Sequence, residues 1–215
     1  MKKYVLIFVL GWFFLTSGAS VTAYFNYGVF NVPSGSPFIE TYLTVIGNSI
    51  RHKAVNGGIQ GSVNVKVLIT KGGELYTGDN YNLFGPVDKD TLSITSFIDN
   101  HRYALPNGAY TIEITLTDNN DPSKKSFTYK ENVVINYSKN EMSSSSIQAL
   151  ESYNKTVNQS SISKSGYDLI PYNINYYPEK QSKLLFYMET YGTDTVLGKG
   201  QSFVYQYHIE RKEDM

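Results

Sequence analysis

The 215-residue chain is 41% hydrophobic, 14% aromatic and 18% charged, which excludes intrinsic disorder and allows one full domain plus part or all of a second. Its 19 Lys and Arg balance 19 Asp and Glu, so no strong field collects the phosphates of a nucleic acid. Cysteine is absent, which excludes disulfides, thiol catalysis and a lipid-anchored cysteine.

Lys2 and Lys3 precede an apolar run over residues 4–15 that is too short to cross a ~30 Å hydrocarbon core. Small residues follow over 17–23. Val21 and Ala23 suit the positions three and one before a signal-peptidase cut, leaving Tyr24 as the mature N-terminus; a cut after Ala19 is the second choice. The expectation is a signal peptide over 1–23, no stable membrane span after its removal, and a mature protein in the periplasm, cell envelope or extracellular space. Loss of Lys2 and Lys3 leaves 17 basic against 19 acidic residues.

The mature chain has a period of two. Over 59–70, Ile59, Val63, Val65, Val67 and Ile69 share one face and Gln60, Ser62, Asn64, Lys66 and Thr70 the other, with Leu68 the exception. Over 109–117, Tyr110, Ile112, Ile114 and Leu116 alternate with Thr and Glu. Weaker strand runs cover 24–32, 38–46, 74–83, 92–98 and 126–135. Turn formers separate them, among them Asn56-Gly57-Gly58, Lys71-Gly72-Gly73 and Pro106-Asn107-Gly108. Strands of this length with one wet face predict an all-β antiparallel sandwich of immunoglobulin or fibronectin III type over 24–137. Tyr110 opens a strand directly after the 105–108 turn, the place of a structural tyrosine corner whose hydroxyl bonds back to nearby backbone.

From 138 to 165 the composition turns to Ser, Asn and Lys, which predicts a polar linker. Residues 166–215 then read as a partial, truncated second β domain, with strands over 183–191 and 202–210. Asn136, Asn154 and Asn158 each open an Asn-x-Ser/Thr pattern, which such a composition produces by chance.

Chemistry-bearing patterns are sparse. His52, His101 and His208 stand apart and read as surface residues. Asp118-Asn119-Asn120-Asp121 combines the side chains of a calcium loop with those of a tight turn, and the turn is preferred; Asp88 and Asp90 read as a solvated turn. No nucleophile elbow, phosphate loop or dinucleotide fingerprint occurs. No catalytic residue, metal ligand or cofactor is therefore assigned. The 19 tyrosines crowd toward the C-terminus, and Tyr176, Tyr177, Tyr187 and Tyr191 are the candidate ligand or partner surface, because tyrosine joins a broad apolar face to a polar tip.

Three segments carry a resemblance: Pro37-Phe38-Ile39-Glu40-Thr41-Tyr42-Leu43-Thr44-Val45-Ile46-Gly47-Asn48-Ser49-Ile50, the strand over 59–70, and Leu105-Pro106-Asn107-Gly108-Ala109-Tyr110 running to Leu116-Thr117-Asp118. Together they resemble exported Bacteroidota β-sandwich proteins, in particular the region N-terminal to the Gly-Trp-x-Thr-Asp domain of one such group. The likeness spans about 24–137, with an echo over 166–210, and the Gly-Trp-x-Thr-Asp motif itself is absent. It implies a periplasmic or envelope-facing protein and transfers no site residues. The expected function is a non-enzymatic scaffold or recognition protein of the bacterial envelope, contacting another envelope protein or a glycan. The alternatives are a carbohydrate-binding module using surface tyrosines, or the N-terminal part of an envelope hydrolase whose active site is missing.

Overall fold

The computed structural model describes residues 21–208 apart from 33, 175 and 180. The expected n-region and apolar run, and residues 209–210 of the expected last strand, lie outside the described residues. Along the chain run β1 (Ala23–Phe30), β2 (Phe38–Val45), a 3-10 turn (Gly47–Ser49), β3 (His52–Val55), β4 (Gly58–Lys71), β5 (Glu74–Asp88), β6 (Phe97–Ala104), β7 (Gly108–Asp118) and β8 (Ser126–Ile135). After them come β9 (Ser143–Ser144), β10 (Gln148–Lys155), β11 (Ser163–Lys164), β12 (Tyr167–Pro171), β13 (Leu185–Tyr187), β14 (Thr190–Tyr191) and the short helix α1 (Thr193–Leu197). The chain is all-β with antiparallel sheets, as the alternation predicts.

The long strand β4 organises one sheet. β5 pairs along one edge of β4, while β3 against Gly58–Gly61 and β7 against Val63–Thr70 share the other, with β8 beyond β7. The two-residue loop Gly72-Gly73 joins β4 to β5 with φ of 60° and 88°. Such values match the primed turns that suit the right-handed twist of a hairpin. Facing this sheet is a three-stranded one in the order β1-β2-β6. Val63, Val65, Val67 and Ile69 of β4 and Ile112, Ile114 and Leu116 of β7 meet Ile39, Leu43 and Val45 of β2 in one core. Each fully buried aliphatic side chain of this kind contributes about 1.5–3 kcal/mol. Tyr110 is also in the core, and its hydroxyl donates to the Pro106 carbonyl at 2.8 Å, the bond that closes a tyrosine corner.

β2 has no wet face. Its alternate residues Glu40, Tyr42 and Thr44 point away from the core and are nonetheless buried, beneath a third layer built from the C-terminal half. That layer is a sheet in the order β11-β12-β10-β13, with β9 and β14 as a separate pair. Asn173 Nδ2 donates to Thr44 Oγ1 at 3.2 Å, and Ser146 exchanges bonds with both the N–H and the C=O of Val29, each at 2.9 Å.

Several sequence-based boundaries are corrected. Residues 138–165, expected as a polar linker, carry β9, β10 and β11, because the polar side chains there find partners instead of water. The strand expected over 92–98 lies at β6, since Asp88 accepts from the Thr95 hydroxyl at 2.7 Å and turns the intervening chain into a loop. The strand expected over 183–191 breaks at Glu189, whose N–H and C=O both bond Ser145 at 2.9 Å and switch the pairing from β10 to β9. Residues 202–208 form no strand; there Tyr207 packs edge-on against Phe186, with centroids 5.7 Å apart. Val21 and Thr22, which a cut after Ala23 would remove, are built into the fold. Val21 is buried in the core, and the Thr22 carbonyl accepts from the Ile46 N–H at 3.0 Å.

Candidate functional site

Unequal sheets leave an open seam. Among the described residues β1 pairs only with β2 and β8 only with β7, so two strand edges flank one side of the core. Val133 and Ile135 of β8 are covered, but Phe127 and Tyr129, on the same face of the strand, are 49% and 41% exposed. Across the gap stand Ala23, Phe25 and Tyr27 of β1, only partly buried, with Phe25 and Tyr129 ring centroids 6.1 Å apart. Two depressions of about 420 and 210 Å³ open between the edges. Ser146 and the Tyr137 hydroxyl close the β1 edge at Val29, leaving the stretch toward Ala23 for another strand.

The four candidate tyrosines do not converge. Tyr191 is buried, and its hydroxyl accepts from the Asn31 N–H at 3.0 Å and donates to Glu189. Tyr187 is half-buried and gives its hydroxyl to the other oxygen of Glu189 at 2.5 Å. Burial first, then the Glu189 bond, pushes the Tyr187 hydroxyl up to about 12. Tyr176 and Tyr177 are exposed, and Tyr177 stacks on Tyr172 at 4.6 Å. A different pair of tyrosines lies together on the third layer. Tyr153 and Tyr167 pack edge-to-face at 5.9 Å and wall a groove of about 420 Å³ floored by Leu150 and Leu169.

Sequence reasoning missed the charge cluster between β2 and the third layer. Lys164 Nζ lies 2.8 Å from Glu40 Oε1, 2.6 Å from Gln148 Oε1 and 3.3 Å from the Tyr42 hydroxyl. Arg102 Nε holds Glu40 Oε2 at 2.5 Å, and Asn100 donates to Oε1 at 3.1 Å. The Phe30 ring is 3.9 Å from the ammonium. Burial drives the Lys164 ammonium down to about 8, with Glu40 partly opposing it. For Glu40, burial pushes upward, but Lys164 and Arg102 together hold the carboxyl below its ordinary range. The Gln148 amide Nε2 has no hydrogen-bond partner among the described residues. A glutamate inside the apolar strand 38–45 was the one available sequence signal; Lys164, in a Ser-rich turn, gave none.

His101, expected on the surface, is half-buried between β5 and β6. Its ring stacks on Tyr81 at 4.6 Å, and its nitrogens face Asp99 at 3.3 Å and Asp79 at 3.7 Å. The oxygens of the 118–121 loop serve the turn. Asp118 accepts the N–H groups of Arg51 and Asn120 at 2.7 and 2.8 Å, and Asp121 accepts from Ser123. Asp88, expected in a solvated turn, is buried against Thr95. No family model and no curated protein sequence matches the chain.

Proposed function

We propose that this is an exported, non-enzymatic scaffold or recognition protein of the bacterial envelope, with an immunoglobulin or fibronectin III-like sandwich that captures an extended polypeptide by strand addition. The seam carries this reading. An added strand beside β1 gives the ladder bonds that the edge lacks, while alternate apolar side chains of the guest cover Phe25, Phe127 and Tyr129. The basic-then-apolar leader supports export. The test is recovery of partners from envelope extract with immobilised protein, followed by hydrogen exchange on the complex. The reading expects a protein partner, slowed exchange at the amides of 23–27, and loss of both with Phe127→Lys. Recovery undiminished by Phe127→Lys, with no protection on β1, would defeat it.

The Tyr153–Tyr167 groove supports a second reading, a glycan platform on which sugar rings stack. Under that reading the purified protein is retarded in a polysaccharide gel, and Tyr167→Ala abolishes the retardation.

A further inference from the structure

Lys164, Glu40 and Gln148 are each at least nine-tenths buried and meet at one point. The lysine nitrogen hydrogen-bonds the Gln148 amide oxygen at 2.6 Å and the Glu40 carboxylate at 2.8 Å. The other end of the same amide, Nε2, is buried with no partner among the described residues, an arrangement that costs about 1–3 kcal/mol if the group simply stays there. Phe30, Tyr42 and Tyr187 surround the nitrogen at 3.9, 5.7 and 5.5 Å from their ring centroids and keep water away. A nucleophile, a carboxylate in contact with it and an acyl group with an unengaged leaving nitrogen therefore share one dry pocket.

We propose that Lys164 and Gln148 form an intramolecular isopeptide bond without any other enzyme, with Glu40 as the proton carrier. Glu40 takes a proton from the Lys164 ammonium, and the freed electron pair of Nζ bonds to the Gln148 side-chain carbonyl carbon. In the tetrahedral adduct a second lysine proton passes to Nε2, the C–Nε2 bond breaks, and ammonia departs. It collects the proton held by Glu40 and leaves as ammonium, returning the carboxylate. Nothing is oxidised or reduced. Rotation of the lysine side chain brings Nζ from the amide oxygen toward its carbon, burial favours the neutral amine over the ammonium, and Arg102 keeps Glu40 ionised and ready to take the proton. The depressed affinity of Lys164 for its proton has the same physical origin. The bond ties β10 to β11 across β12 on the face that meets β2. A cysteine-free chain thereby gains a covalent staple where a disulfide is not available.

The full chain, purified, denatured and digested with trypsin, tests this by mass spectrometry. The expected product is one branched peptide joining the segments around Gln148 and Lys164, lighter by one ammonia than their sum and uncut at Lys164. Glu40→Gln should abolish it, and Lys164→Arg gives the unlinked reference digest. Unbranched peptides ending at Lys164 throughout would overturn the proposal. So would a branch joining Lys164 to Glu40 with loss of one water. Full linkage in Glu40→Gln would remove Glu40 from the mechanism. The wild-type digest decides the existence of the bond whether or not either variant folds.

Discussion

The Glu40 carboxylate on β2 and the Lys164 side chain on β11 pair at 2.8 Å with almost no solvent contact, joining the first sheet of the sandwich to the last layer of the chain. Breaking a buried pair by deleting one partner leaves the other charge stranded, at about 3–5 kcal/mol. Glu40→Ala should lower stability by about that amount, seen as a fall in urea midpoint with unchanged slope. Replacing both partners by methionine should recover a large part of it. A loss below about 1 kcal/mol for Glu40→Ala would mean that the pocket admits water.

Acid should weaken the fold through the same residue. The Glu40 carboxyl is held below its ordinary value, and so are Asp88, by its bonds from Thr95, and Asp121, by its bonds from Ser123. Groups with depressed values contribute stability that is complete above the unfolded carboxylate pKa, about 4, and lost as pH falls through the folded one. Urea midpoints measured from pH 6 downward should stay level to about pH 5 and then drop. A midpoint that is level to below pH 3 would contradict this.

On the alkaline side two effects oppose each other. In the unlinked chain Lys164 binds its proton less tightly folded, near 8, than unfolded, about 10.4, so there its contribution rises with pH across that window. Burial and then Glu189 raise Tyr137 and Tyr187 to about 12, above the ordinary value of about 10. Their contribution is complete below about pH 10 and lost as pH climbs toward 12. Stability should therefore hold or rise to about pH 10 and collapse beyond it, with phenolate absorbance growing in the same step as loss of β-sheet dichroism. Phenolate formation complete well before unfolding would show that these hydroxyls are open to water.

Tyr110→Phe removes only the hydroxyl that donates to Pro106. A single hydrogen bond of this kind is worth about 1 kcal/mol, so the melting temperature should fall by several degrees with the core intact. An unchanged melting temperature would show that the corner contributes nothing.

Val21 and Thr22 contribute a core side chain and a backbone bond to β1's surroundings. If the leader is removed, a cut after Ala19 preserves both, whereas a cut after Ala23 discards them. N-terminal sequencing of the protein isolated from its native cells should then read from Ser20. A first residue of Tyr24 would show that the fold does without them.

Strands with clear alternation, β4 with Leu68 its one exception and β7 with none, were legible because each has one apolar and one largely polar face. β6 was not. Its Asp99, Asn100, His101 and Arg102 carry no apolar period, and they are satisfied by Tyr81 and Glu40, which come from other strands. The reading of 138–165 as linker failed for a related reason: composition reports polarity, not whether the polar groups find protein partners. Tyr110 was recognisable from the turn before it. Tyr187 and Tyr191 were not recognisable as inward-facing, because the carboxylate that turns them in, Glu189, lies between them and reads as surface.

The double coverage of β2 limits how this protein can be shuffled in evolution. A gene fragment ending after the eighth strand would encode a sandwich whose central strand presents Glu40 and Tyr42, with Phe30 of β1 beside them, to water, and whose carboxylate keeps Arg102 but loses its lysine. Such a piece would be a poor donor for recombination, since its new surface is an oily patch with a stranded acid at the centre. Insertions and exchanges should instead gather at hairpin tips such as Gly72-Gly73, where no third layer rests on the chain.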